Sequence, residues 1–283
     1  MANEADGSSR RLRVAGLVFA AFAVTGFFMY LRFPYERLAD LVAMRVELET
    51  GVRLSFGQVG PSPQWLGPGI SAEDVRITRR DGRVFAFDRI VVRPAWTTSW
   101  LWGRPALHTT FGGPLGGGAG TLTVGDALAF HGTLEEIDVG ALLADDLGPD
   151  TAIDGTLEVT LDVGFPPEGP VGPVQFVARE GSVSHPQLPI AIPFEEAIGE
   201  LELGGAYVVE IVALHIDSPL LTGKVSGTVG RGTSLERSPL ALDVELTAAP
   251  QIRGALDAQG VRLGRDGSLS VRVMGTPGNP IVR

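Results

Sequence analysis

From Val52 onward the chain is written with a period of two, and nothing else in it restricts the fold as strongly. Leu157, Val159, Leu161 and Val163 alternate with Glu158, Thr160 and Asp162, and Leu240, Leu242, Val244 and Leu246 alternate with Ala241, Asp243, Glu245 and Thr247. Successive side chains of a strand point to opposite faces, so these segments predict strands that are apolar on one face and polar on the other. The same rule selects Val75 and Ile77, then residues 84–87, 90–92, 121–124, 174–177, 201–203, 207–214, 224–229, 261–263 and 269–274. Asp81-Gly82, Gly204-Gly205 and Asp266-Gly267 supply turns between them. No strand–helix–strand rhythm of a parallel sheet is present, which predicts a mainly β, many-stranded antiparallel meander.

Two inserts, 137–147 and 194–198, read as short helical or irregular segments. The first follows an Asp138 N-cap and the second follows Pro193. Gly120-Thr121-Leu122, Gly132-Thr133-Leu134, Gly155-Thr156-Leu157 and Gly227-Thr228-Val229 recur, either as strand entries after glycine turns or as a structural repeat.

The N-terminal part obeys different rules. Residues 14–31 carry no charged side chain and are flanked by Arg10, Arg11 and Arg13 before and Arg32 after. At about 1.5 Å per residue they reach about 27 Å, close to the roughly 30 Å hydrocarbon core, and snorkelling arginines cover the difference. Val14, Leu17, Phe19, Phe22, Phe27, Phe28 and Leu31 are the anchor residues. The Val, Leu and Phe of this stretch favour insertion by about 3–5 kcal/mol. Cleavage after Ala21-Phe22-Ala23 would strand Phe27, Phe28 and Leu31 at a new terminus, so the expectation is an uncleaved transmembrane helix. The preceding arginines orient residues 1–13 to the cytoplasm and residues 32–283 to the periplasm.

Residues 32–51 predict a short juxtamembrane amphipathic helix. Leu38, Leu41, Val42 and Leu48 share a face, and Thr50-Gly51 stops it. That face either caps the β domain of residues 52–283 or meets lipid or a partner.

Composition narrows the functional classes. The 283 residues have no cysteine, a single lysine (Lys224) and a formal charge of −10, which speaks against thiol chemistry, disulfides and a phosphate-tracking nucleic-acid surface. His108, His131, His185 and His215 are widely spaced and outside any close metal-binding pair. The glycine run 112–120 lacks the lysine and hydroxyl of a phosphate loop and reads as a flexible turn. Ser99, Ser182 and Ser184 lack a nucleophile elbow, and the acid pairs Glu135-Glu136, Asp145-Asp146 and Glu195-Glu196 are adjacent, so their side chains diverge. The expectation is a protein without catalytic residues, cofactor or metal. Trp96, Trp100 and Trp102 cluster in residues 94–105 as either a packed corner or an interface, and they join Leu38 and Leu41 as candidate interface residues.

In combination these features resemble the type II secretion system protein N (GspN) family and, more distantly, the AsmA-like and TamB-like envelope proteins. The resemblance is carried by the anchor followed by Phe33-Pro34-Tyr35, the helix through Leu38 and Leu41, and Val52-Arg53-Leu54-Ser55-Phe56. It continues through Gly67-Pro68-Gly69-Ile70, Phe87-Asp88-Arg89-Ile90-Val91-Val92, Ser218-Pro219-Leu220 and the ending Gly275-Thr276-Pro277-Gly278-Asn279-Pro280. It implies a single-pass component of a bacterial inner membrane that serves a type II protein secretion system through contacts with other secretion-system proteins. The more distant likeness implies a long curved sheet, as a β-groove or sandwich-like, whose apolar face handles lipid acyl chains.

Overall fold

The computed structural model describes residues 4–64, 67–80, 82–125, 128–144, 151–184, 191–205, 208–230, 237–258, 261–276 and 279–282. The chain divides into two compact units, Met1–Phe85 and Ala86–Arg283.

The first unit opens with helices α1 (Glu4–Leu31) and α2 (Tyr35–Thr50). As the sequence predicts, α2 ends at Gly51, whose left-handed backbone (φ 69°) lets its N–H donate to the Glu47 carbonyl at 2.9 Å. Three strands follow: β1 (Arg53–Ser55), β2 (Gln58–Gln64) and β3 (Gly67–Thr78). β1 and β2 pair antiparallel with successive stretches of β3. The interruption falls where Gly57 donates to the Glu73 carbonyl at 2.9 Å and Asp74 takes a positive φ of 51°. Helix α2 rests on β1 and β2 through Ala39, Ala43 and Val46, a half-buried stripe of mostly small residues that permits close approach. Its other stripe, Leu38, Leu41, Val42, Met44 and Leu48, is exposed, reaching 78 % at Leu48. The apolar residues expected to cap the β domain therefore face away from the strands. Val75, 2 % exposed, is the most buried side chain among the described residues of this unit.

Among the described residues no single helix is long and apolar enough to cross a membrane. Gly16–Leu31 and Tyr35–Leu48 meet that requirement together, as a pair bent by 58°.

The second unit is an open, curved antiparallel sheet. Its strands are β4 (Val84–Pro94, which begins at the unit boundary), β5 (Ala106–Gly113), β6 (Gly116–Thr123), β7 (Leu128–Asp138), β8 (Ala152–Phe165) and β9 (Val171–Ser184). β10 (Ile192–Gly204), β11 (Val209–Asp217), β12 (Leu221–Val229), β13 (Leu240–Ala248), β14 (Ser268–Thr276) and β15 (Asn279–Val282) complete it. From β4 to β15 each strand pairs with the next in chain order. These strands therefore form one continuous open sheet and not two separately paired ones.

The non-strand additions are small: a 3-10 turn at Thr98–Trp102, helix α3 (Val139–Leu143) and helix α4 (Pro250–Ala258). The Asp138 cap is present, its Oδ1 accepting from the Ala141 N–H at 2.9 Å. Residues 145–147 of that predicted insert, like the pair Asp145-Asp146, lie outside the described residues.

Three expectations are corrected. Residues 194–198 are strand, inside β10. Pro193 followed by two glutamates imitates a helix start, but pairing with β9 from Ile192↔Val183 to Gly204↔Val171 decides the conformation. The glycine run is mostly strand as well: only Pro114 and Leu115 turn, between Gly113 and Gly116, which pair with each other. Residues 261–263 form no strand; the Val261 N–H donates to the Leu256 carbonyl at 3.0 Å and folds this segment back against α4.

Candidate functional site

Register turns the alternation within each strand into continuous surfaces across the second unit. From Leu134 the partners run Val159, Phe176, Gly199, Leu214, Val225, Val244 and Val271. In the other direction they run Gly118, Phe111 and Ile90. The next row repeats the pattern through Leu161, Val174, Leu201, Ile211, Gly227, Leu242 and Val273. One face of the sheet is therefore apolar from β4 to β14. At ~4.8 Å per strand, its width is roughly 50 Å.

Several glycines of this face lie under aromatic rings. A Cβ on Gly199 would come within 2.1 Å of the Phe176 ring, and one on Gly118 within 2.7 Å of the Phe111 ring. Gly120 and Gly132, directly paired across β6 and β7, are both covered by Phe130. Ring-over-glycine contacts stabilise otherwise weak strand positions and lay the aromatic side chains along the sheet. This gives three of the recurring Gly-Thr units a role: Gly120 and Gly132 leave room for Phe130 and Gly155 for Phe194, while Gly227, like Gly155 at a positive φ (133° and 136°), lies against the backbone of β13.

Burial sets this face apart from an ordinary core. Leu157, Val159, Leu161, Leu242, Val244, Val225, Leu214 and Val271 are only half-buried. Among the described residues, α3, α4 and the 3-10 turn are the only non-strand elements of this unit, and elements of nine residues or fewer cannot roof a face this wide. A fully packed second layer would bury such side chains almost completely.

The opposite face is mostly polar and exposed from β7 to β14, with Val177 and Ile198 as apolar interruptions, and is more buried at β4 and β5, where Val91 is 8 % exposed. Arg179 bridges Glu158 at 2.8 Å and Glu196 at 3.6 Å, and Arg272 donates to both Asp243 oxygens, at 2.7 and 3.1 Å. The guanidinium of Arg272 holds the Asp243 carboxyl below its usual range. His131 sits 3.8 Å from Asp162, and His215 is in register with Lys224. His108 is pushed below the ordinary histidine value, chiefly by burial and also by Arg93 opposite it in β4. His185 lies outside the described residues. Ser182 donates to Asp154 at 3.3 Å and Ser184 to the Ala152 carbonyl at 3.5 Å. Among the described residues no three histidines or carboxylates converge as metal ligands.

The predicted anchor and interface residues are exposed. Leu17, Phe19, Phe22, Phe27, Phe28 and Leu31 all project from α1, Phe22 being 75 % exposed; the helix runs through Val14, whose side chain lies outside the described residues. The Trp96 and Trp100 rings are 5.6 Å apart, Trp100 Nε1 donates to the Ala95 carbonyl at 2.7 Å, and Trp102 is 82 % exposed. The tryptophan cluster is thus a surface loop between β4 and β5, not a packed corner.

Sequence reasoning missed α4. Pro250 at the first helical position and the spacing of Ile252 and Leu256 were the available signals. No protein-family model matches this chain, and no curated protein or solved structure matches it.

Proposed function

We propose that this chain is a single-pass envelope protein, tethered by α1 and holding lipid acyl chains against the apolar face of strands β4–β14. The observation that carries the proposal is the half-buried apolar register running without a polar break from Ile90 to Val271. Apolar area of this extent is favourable only when removed from water, at about 25 cal/mol per Å². Hydrocarbon satisfies that demand and asks for no hydrogen bonds in return.

The tether is supported by residues 16–31 of α1, which carry no charged side chain and expose Leu17, Phe19, Phe22 and Phe28. Arg32, exposed just past its end, has the chemistry of a membrane interface. Arg10, Arg11 and Arg13 favour a cytoplasmic N-terminus and a periplasmic sheet at a bacterial inner membrane. The protein acts by binding, with no residue assigned to catalysis, no metal and no cofactor. Lipid extraction and mass spectrometry of the full chain, isolated without lipid supplementation, tests this: stoichiometric phospholipid supports it, and protein free of lipid refutes it.

A second reading follows the resemblance to the type II secretion protein N family and has its own supporting observation, the exposed Trp96–Trp100 pair, its rings inclined by 35°, beside Trp102. Exposed tryptophans of this kind favour protein contacts, here with other secretion-system components. Crosslinking from position 102 in cells should then capture such components.

A further inference from the structure

We infer that the cavity beneath α4 seats the terminal, methyl end of an acyl chain, closing one end of the apolar face. The inference deepens the lipid-holding reading above and rests on it. The cavity has a volume of about 190 Å³, and every side chain lining it is aliphatic. Leu221, Leu246 and Leu269 form its floor at the ends of β12, β13 and β14, while Ile252, Leu256 and Val261 come from α4 and the segment after it.

Its chemistry selects the ligand. An apolar cavity of about 150 Å³ lined by Leu, Ile and Phe stays dry and takes benzene or xenon, so a hydrocarbon group suits this one and water or a polar headgroup does not. Its location selects which part of a lipid enters. Leu246 pairs with Gly223 and Leu269, two residues along their strands from the paired Val225, Val244 and Val271. A chain lying along the strands on the apolar face leads directly into the cavity, and only its apolar end finds matching surroundings there.

The roof is fastened by polar contacts. Arg253 donates from Nε to the Ala248 carbonyl at 3.0 Å and from Nη2 to the Asp266 carbonyl at 2.6 Å. The buried Ser218 hydroxyl donates to the Pro193 carbonyl and accepts from the Leu220 N–H at 3.1 Å. These bonds hold both ends of the cavity wall without consuming its apolar surface.

The test uses the full chain in vesicles of phosphatidylcholine and phosphatidylglycerol, doped with phosphatidylcholine carrying one photoreactive diazirine. The diazirine sits either at the terminal carbon of an acyl chain or next to its carboxyl end, and labelled peptides are mapped by mass spectrometry after irradiation. The terminal probe should label α4 and the 261–263 segment, and the carboxyl-proximal probe should label β8–β12 and spare α4. Terminal-probe labelling confined to the strands, or equal labelling of α4 by both probes, overturns the seat while leaving the lipid-holding face intact. Absence of labelling anywhere in residues 86–283 refutes the face and the seat together. Ala255→Trp, at an exposed position on the cavity's rim, should lower terminal-probe labelling of α4 severalfold with strand labelling unchanged; unchanged α4 labelling contradicts the seat.

Discussion

The Tyr30 hydroxyl and the backbone of Gly69 hold each other twice: the hydroxyl donates to the Gly69 carbonyl at 2.5 Å and accepts from the Gly69 N–H at 3.2 Å. Tyr35, 6 % exposed, donates to the Tyr30 carbonyl at 2.6 Å, and the two rings pack edge to face at 6.0 Å. Burial, and secondarily Tyr30, raises the Tyr35 phenol above its ordinary value, so it remains a donor. The end of α1 is thus fastened to β3 by side chains, and the Tyr–x4–Tyr spacing is what makes the clasp.

Tyr30→Phe removes the shared hydroxyl and leaves both Gly69 groups without it. A loss of about 1–3 kcal/mol is expected for unsatisfying part-buried backbone groups. Thermal unfolding of the full chain in lipid should show it, accompanied by faster amide exchange near Gly69; unchanged exchange there refutes the clasp.

The ring-over-glycine contact between Phe176 and Gly199 predicts a steric coupling. Gly199→Val should destabilise by about 1–3 kcal/mol through overpacking. Combined with Phe176→Ala, the loss should be smaller than the sum of the two single variants, because the ring that clashes is gone. Strict additivity in chemical denaturation would mean the two residues are independent.

His108 sets a pH dependence. Its folded value lies below the unfolded value of about 6.5, so the folded state binds protons less readily, and stability present above about pH 6.5 is lost as pH falls toward the folded value. Unfolding curves measured between pH 7.5 and 5 should shift toward lower stability by a larger amount in the parent than in His108→Gln.

Asp243 acts at lower pH. Its depressed folded value means that the stability it contributes is present above about pH 3.9 and lost as pH drops below that. Asp243→Asn should flatten the acid limb of the stability profile. The effect is small because both partners are exposed, and added salt should weaken it.

The strands of this fold are legible wherever a one-face alternation is long, as in β8 and β13, and so is α2, whose glycine stop carries its own backbone signature. The strand character of residues 194–198 is not, because it comes from pairing with β9, to which local propensity is blind. The glycine run of β6 is misread for a related reason: its stability comes from Phe111 and Phe130 on neighbouring strands. Of the candidate site, alternation discloses that an apolar face exists. Which rows join, and that short helices leave them half-buried, depends on register between distant segments. The exposure of Trp96 and Trp102 likewise follows from the loop they occupy and not from their spacing.

The proposed hydrocarbon cover of the apolar face is open to a test by two charge insertions one residue apart. Val225 lies in the apolar row, while its neighbour Ser226 points to the exposed polar face. Full-length Val225→Asp and Ser226→Asp, checked for an unchanged circular dichroism spectrum, are purified in parallel and their bound phospholipid is counted by mass spectrometry. The parent and Ser226→Asp should carry lipid and Val225→Asp should have lost most of it. Equal lipid in both variants, or none in the parent, contradicts the account.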